Sequence, residues 1–137
     1  MPGNDTDYKS PRNYLPVFWW KDNIPAGQAT GLPMTINNLP FEKFPFAKKA
    51  SLVTLGIVLS EPVTAGLIRF EISKNGNPTG KIFDMDDTKG AKELWEFDPG
   101  KLVGAKGDEL GILWGSSGAL APAGVIEAAI FVEVQET

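Results

Sequence analysis

Residues 50–73 read A-S-L-V-T-L-G-I-V-L-S-E-P-V-T-A-G-L-I-R-F-E-I-S and run directly into Lys74-Asn75-Gly76. Leu55, Ile57 and Leu59 fall on one face with Val53, and Thr54, Gly56 and Val58 fall on the other. After the corner at Pro62 and Gly66, Ile68, Phe70 and Ile72 point one way, and Arg69, Glu71 and Ser73 the other. Alternation of this kind marks a half-buried strand, because successive side chains leave a strand on opposite faces. Asn75-Gly76 supplies the positive φ angles of a tight hairpin, and a third strand is expected beyond it. Pro78 is expected to lengthen that loop.

The same reading extends in both directions. Downstream, Lys81–Met85 is a weaker strand, and Leu94-Trp95-Glu96-Phe97 a short one with Trp95 and Phe97 on one face. Asp98-Pro99-Gly100 and Lys106-Gly107-Asp108 turn the chain. Leu110, Ile112 and Trp114 then alternate inward, and a last strand from Val125 to Val134 carries Ile126, Ala128, Ile130, Val132 and Val134 on one face. Upstream, Leu15–Trp20 is an aromatic strand whose Pro16 favours an edge or a strand start. A short strand is expected near Leu32–Ile36, before the turn at 37–40. Phe41, Phe44 and Phe46 lie in a stretch where Pro40 and Pro45 forbid a helix, and they are expected to pack across the base of the domain.

About seven to nine short strands with turns between them and no helix give an antiparallel sandwich, jelly-roll or immunoglobulin-like. The 137 residues form one domain, 15–137, preceded by residues 1–14, which lack periodicity. Those fourteen read either as an extended arm anchored by Tyr8, Arg12 and Tyr14 or as a disordered terminus.

Composition removes several functions. There is no cysteine and no histidine, so disulfides, thiolate metal sites and every histidine-activated nucleophile are excluded. A net charge of −4 argues against nucleic acid or an anionic membrane as partner. No apolar run approaches the ~20 residues of a membrane span. Met1–Asp7 is polar and acidic, unlike a secretory leader, so synthesis in a cytoplasm without a cleaved leader is expected.

Three features taken together are more specific: the corner Ser60-Glu61-Pro62-Val63-Thr64-Ala65-Gly66 leading to Lys74-Asn75-Gly76; Lys106-Gly107-Asp108 before a strand; and Leu120-Ala121-Pro122-Ala123-Gly124 before the last strand. In this order they resemble the jelly-roll modules of tailed-bacteriophage virion proteins, both capsid decoration (cement) proteins and fibre tips. The resemblance implies a jelly-roll sandwich, no catalysis and no cofactor. It also implies a homo-oligomer, commonly a trimer, that binds the major capsid protein, other virion proteins or host glycans. The location implied is the capsid surface of the virion, after synthesis in the host cytoplasm. Taken singly, each feature is also ordinary turn chemistry.

The remaining polar and aromatic groups have plainer readings than a site. Asp84, Asp86 and Asp87 offer oxygen ligands, but they lack the glycine and distal glutamate of a calcium loop and read as a solvated loop. The pairs Glu93/Glu96 and Asp108/Glu109 have no fixed separation for glycoside hydrolysis. Gly115-Ser116-Ser117-Gly118 lacks the spacing and the histidine of a nucleophile turn. Trp95 and Trp114 are in phase with the core. Trp19 and Trp20 are adjacent, so one must leave the core for solvent, the arm or a partner. Both are candidate interface residues, together with Tyr8, Arg12 and Tyr14; no catalytic, metal or cofactor residue is expected.

Overall fold

The computed structural model describes residues 17–36, 41–98 and 100–136. The arm at 1–14 with Tyr8, Arg12 and Tyr14, the strand start at Leu15-Pro16, the turn at 37–40 and Pro99 all lie outside them. The described residues hold eleven strands: β1 (Val17–Lys21), β2 (Leu32–Pro33), β3 (Thr35–Ile36), β4 (Lys43–Pro45), β5 (Ala50–Leu59), β6 (Leu67–Lys74), β7 (Asn77–Asp86), β8 (Lys92–Glu96), β9 (Val103–Gly104), β10 (Glu109–Ser116) and β11 (Ala128–Glu136).

Two antiparallel sheets divide them. The first runs β3-β1-β11-β5-β8, with β9 also on β5; the second runs β2-β10-β6-β7, with β4 also on β10. Eight of these strands nest as four pairs: β1 with β11, β2 with β10, β5 with β8, and β6 with β7. First pairs with last, second with second-last, and so inward to a central hairpin. That is one long ribbon of paired strands rolled into two layers, the jelly-roll alternative of the sequence reading.

The inward residues of both layers make one core. Leu55, Ile57, Ile130 and Val132 from the first sheet meet Ile68, Phe70, Ile112 and Trp114 from the second. Trp19 is completely buried among them, and its Nε1–H donates to the carbonyl of Glu42 at 2.9 Å, which satisfies the polar end of a core indole. Trp95 lies at the margin of this core, edge-on to Phe83 with centroids 5.0 Å apart.

Several local expectations need correction. Alternation slips near Val53, because Val134 of β11 pairs with Leu52 while Glu133 pairs with Thr54. This bulge puts Leu52 and Ala50 in the core cluster and Val53 outside it, although Val53 remains buried. Pro78 does not lengthen the hairpin. Lys74 pairs with Asn77 across a two-residue turn with φ of 55° at Asn75 and 82° at Gly76, and the irregularity falls later, where Thr79 Oγ1 donates to the Ile72 carbonyl at 2.6 Å. The strand expected at Leu32–Ile36 splits around the buried Met34, its halves joining different sheets. The last strand begins at Ala128, not Val125. Of the three phenylalanines expected at the base, Phe46 is buried, Phe44 half-buried and Phe41 exposed.

The three recognition features hold one another at opposite ends of β6. Around the corner before it, Thr64 N–H donates to the Ala121 carbonyl at 2.7 Å, and Ala121 N–H returns a bond to the Ala65 carbonyl at 2.9 Å. Gly66, at φ 68°, has no room for a Cβ, which would lie 2.6 Å from the Leu120 nitrogen. At the far end, Asn75 Nδ2 donates to Asp108 Oδ1 at 3.0 Å, and Glu109 N–H donates to Asn75 Oδ1 at 2.8 Å.

Candidate functional site

The outer face of the first sheet carries apolar side chains where alternation calls for polar ones. Its central row crosses four strands in register: Phe18 of β1 opposes Phe131 of β11, Phe131 opposes Gly56 of β5, and Gly56 opposes Leu94 of β8. The next row is Trp20, Ala129, Val58 and Lys92. On the other side lie Glu133, Thr54 and Glu96. Phe131 is 43% exposed, Leu94 60% and Val58 37%, and the rings of Phe18 and Phe131 lie 5.4 Å apart.

Gly56 makes this surface concave. Its φ is not in the left-handed region, and an added Cβ would meet Leu94 Cδ1 at an ordinary 3.5 Å. Neither backbone nor packing demands glycine there, and glycine weakens a strand interior. Its bare backbone leaves a shallow groove of about 480 Å³ between Phe131 and Leu94. Such a gap in a strand suits the close approach of another chain.

Of the residues singled out from sequence, the two adjacent indoles point to opposite faces. Trp19 enters the core, and Trp20 is half-buried on this outer face, where its Nε1–H donates to Glu127 Oε2 at 2.7 Å. Phe18, Phe131, Val58 and Leu94 were not singled out. The signal was available for Phe131, Val58 and Leu94, each a large apolar residue at the outward phase of a strand whose inward phase is legible in the sequence; for Phe18 it was not, because the sequence leaves open which of Trp19 and Trp20 enters the core.

The other candidates resolve into structural roles. Asp84 is held by Arg69 directly across β6 and β7, with Nε–Oδ1 2.7 Å and Nη2–Oδ2 2.8 Å, and this partner raises the guanidinium pKa further. Asp86 accepts from both the hydroxyl and the N–H of Thr88, which lowers its pKa. The three aspartates therefore do not converge, and no cluster of three potential metal ligands occurs among the described residues. Ser116 Oγ accepts from the Gln28 N–H and donates to the Pro25 carbonyl, while Ser117 Oγ accepts from the Leu67 N–H. Both hydroxyls fasten loops.

No protein-family model and no curated protein matches this sequence.

Proposed function

We propose that this protein is a non-catalytic structural component of a tailed-bacteriophage virion, a capsid decoration protein whose copies, as a trimer, bridge neighbouring major capsid subunits. The observation that carries the reading is the apolar row Phe18–Phe131–Gly56–Leu94 on the outside of a sandwich whose inside is already filled. A monomer gains nothing by exposing aromatic and aliphatic side chains in register across four strands, whereas a subunit held to neighbours buries them. Burial of apolar area at such joints makes adjacent subunits harder to separate when internal pressure pushes outward. The jelly-roll pairing and the virion-module pattern of its turns support the same reading.

Electron microscopy of virions, with copy number counted by mass spectrometry, is the test. Hundreds of copies at three-fold sites are expected; a handful at the tail would overturn the decoration role. A fibre-tip or glycan-binding role is favoured by one observation, that the loops at 22–31 and 115–124 pack together. There the Gly27 N–H donates to the Ser117 carbonyl at 2.9 Å and the Ser116 N–H to the Gln28 carbonyl at 2.7 Å. Binding on a glycan array that disappears with Trp20→Ala would select that role.

A further inference from the structure

We infer that the outer face of the first sheet pairs with the same face of a second copy, about a two-fold axis running along the strands between β11 and β5. This deepens the proposed role by naming what covers the apolar row, a copy that belongs to an adjacent trimer.

The face is complementary to itself. Its four strands stand in the order β1, β11, β5, β8, so the axis exchanges β11 with β5 and β1 with β8. Phe131, 43% exposed, then lies over the partner's Gly56, while Gly56 lies under the partner's Phe131. Each ring enters the gap that the other copy's missing side chain leaves. The same turn sets Phe18 on the partner's Leu94 and Val58 on the small Ala129 of the partner subunit. A protruding ring beside a bare glycine in one row suits an isologous contact, where residue i meets j and j meets i. A two-fold axis across the strands would instead stack Phe131 on Phe131 and leave a void over Gly56, which forfeits packing.

The area suits a reversible pair. Four strands about 4.8 Å apart and four outward rows about 6.7 Å apart, at positions 127, 129, 131 and 133, present about 500 Å² on each copy. Both copies together bury about 1,000 Å², where specific interfaces begin. Strands of the two copies run nearly aligned about this axis, as in packed sheets generally.

Charge fixes the axis. Lys92 is exposed and makes no ion pair among the described residues. The two-fold turn carries it over the partner's Trp20, whose indole N–H is tied to Glu127 in each chain. The ammonium thus meets an aromatic face and, one row on, a carboxylate. At the opposite border Glu96 and Glu133 of both copies approach one another, at a rim where water and salt screen them. These like charges weaken the pair without preventing it. An isologous contact is complete with two copies, so it links one trimer to the next and the trimer closes through other surface.

Sedimentation equilibrium of the full-length chain and its variants, with melting temperatures checked, is the test. Gly56→Phe sets ring against ring and Phe131→Ala sets gap against gap, and each alone is expected to weaken pairing about tenfold or more. Their equimolar mixture should pair again, because the introduced ring enters the gap at position 131 while the native ring enters the native glycine. Lys92→Glu and Glu127→Lys, both on exposed side chains, repeat the test should Gly56→Phe fail to fold: each weakens pairing alone, and the mixture restores it. Glu96→Gln should tighten pairing by removing like charge from the rim. Absence of even-numbered association at every concentration, single variants that pair as well as the unaltered chain, or mixtures no better than their parts would each overturn the inference. So would loosening by Glu96→Gln, the mark of the cross-strand axis, which faces Glu96 with Lys92. Single chains that pair without forming trimers would leave the inference standing and overturn the trimeric decoration role.

Discussion

Asp108 ties together segments far apart in the chain. It accepts from Asn75 Nδ2 and the Ala105 N–H, and Lys74 Nζ lies 3.3 Å away. These donors, Asn75 first, favour its charged form and hold its pKa below the ordinary 3.8. A lowered folded-state pKa contributes stability that is complete above pH 3.8 and disappears as the pH falls through the folded value. Asp108→Asn is therefore expected to lower the urea midpoint at pH 7 and to lose that difference progressively as the pH is taken below 3.8, as paired denaturation curves would show. Both turns that meet here were legible as turns, since Lys-Asn-Gly and Lys-Gly-Asp carry their own conformational signals. Their bond was not legible, because which of many solvated turns touch depends on strand pairing 33 residues away.

Among the elements, β6 is bounded by two glycine corners that look alike in sequence and differ in their surroundings. At Gly76 an added Cβ would find only Lys43 Nζ at 3.9 Å, so Gly76→Ala meets the left-handed backbone penalty alone, about 1 kcal/mol. At Gly66 the same methyl would strike the backbone of Ala119 and Leu120 at 2.7 and 2.6 Å, and backbone cannot swing aside. Gly66→Ala is expected to cost about 2–4 kcal/mol, the sum of strain and overpacking. Guanidinium titration of the two variants should separate them clearly. Strand phase was readable wherever alternation ran unbroken, as in β6 and β10. It failed at the bulge near Val53 and at Met34, where one extra residue or a change of sheet shifts the phase without any change in composition.

Across the whole molecule, both sheets share one buried cluster, so the sandwich should unfold as a unit. Ile57→Ala in the first sheet and Ile68→Ala in the second each remove a fully buried side chain, and each is expected to cost about 2–5 kcal/mol. Circular dichroism of strand content and tryptophan fluorescence should shift together in both variants. Separate transitions would mean that the layers are independent. Sandwich class was legible from strand number, turn spacing and the lack of helix. Jelly-roll over immunoglobulin-like pairing was not, because the two differ only in which distant strands become neighbours. The outer groove was half legible: Val58 and Gly56 were placed on the outward face, while Phe131 and Leu94 join them only through register.

The closing strand β11 does not finish the first sheet at its rim; it is inserted between β1 and β5. During synthesis the ribosome therefore releases a hundred-odd residues before that layer has its middle. Until residues 128–134 emerge, Trp19 and Ile57 have no shared neighbour to bring them together, and the nascent chain shows open β edges to whatever is nearby. Long-range closure of this kind favours slow maturation and early chaperone engagement. A stalled chain ending at residue 126 should accordingly be protease-sensitive throughout, with resistance arriving in a single step once the last strand clears the exit tunnel.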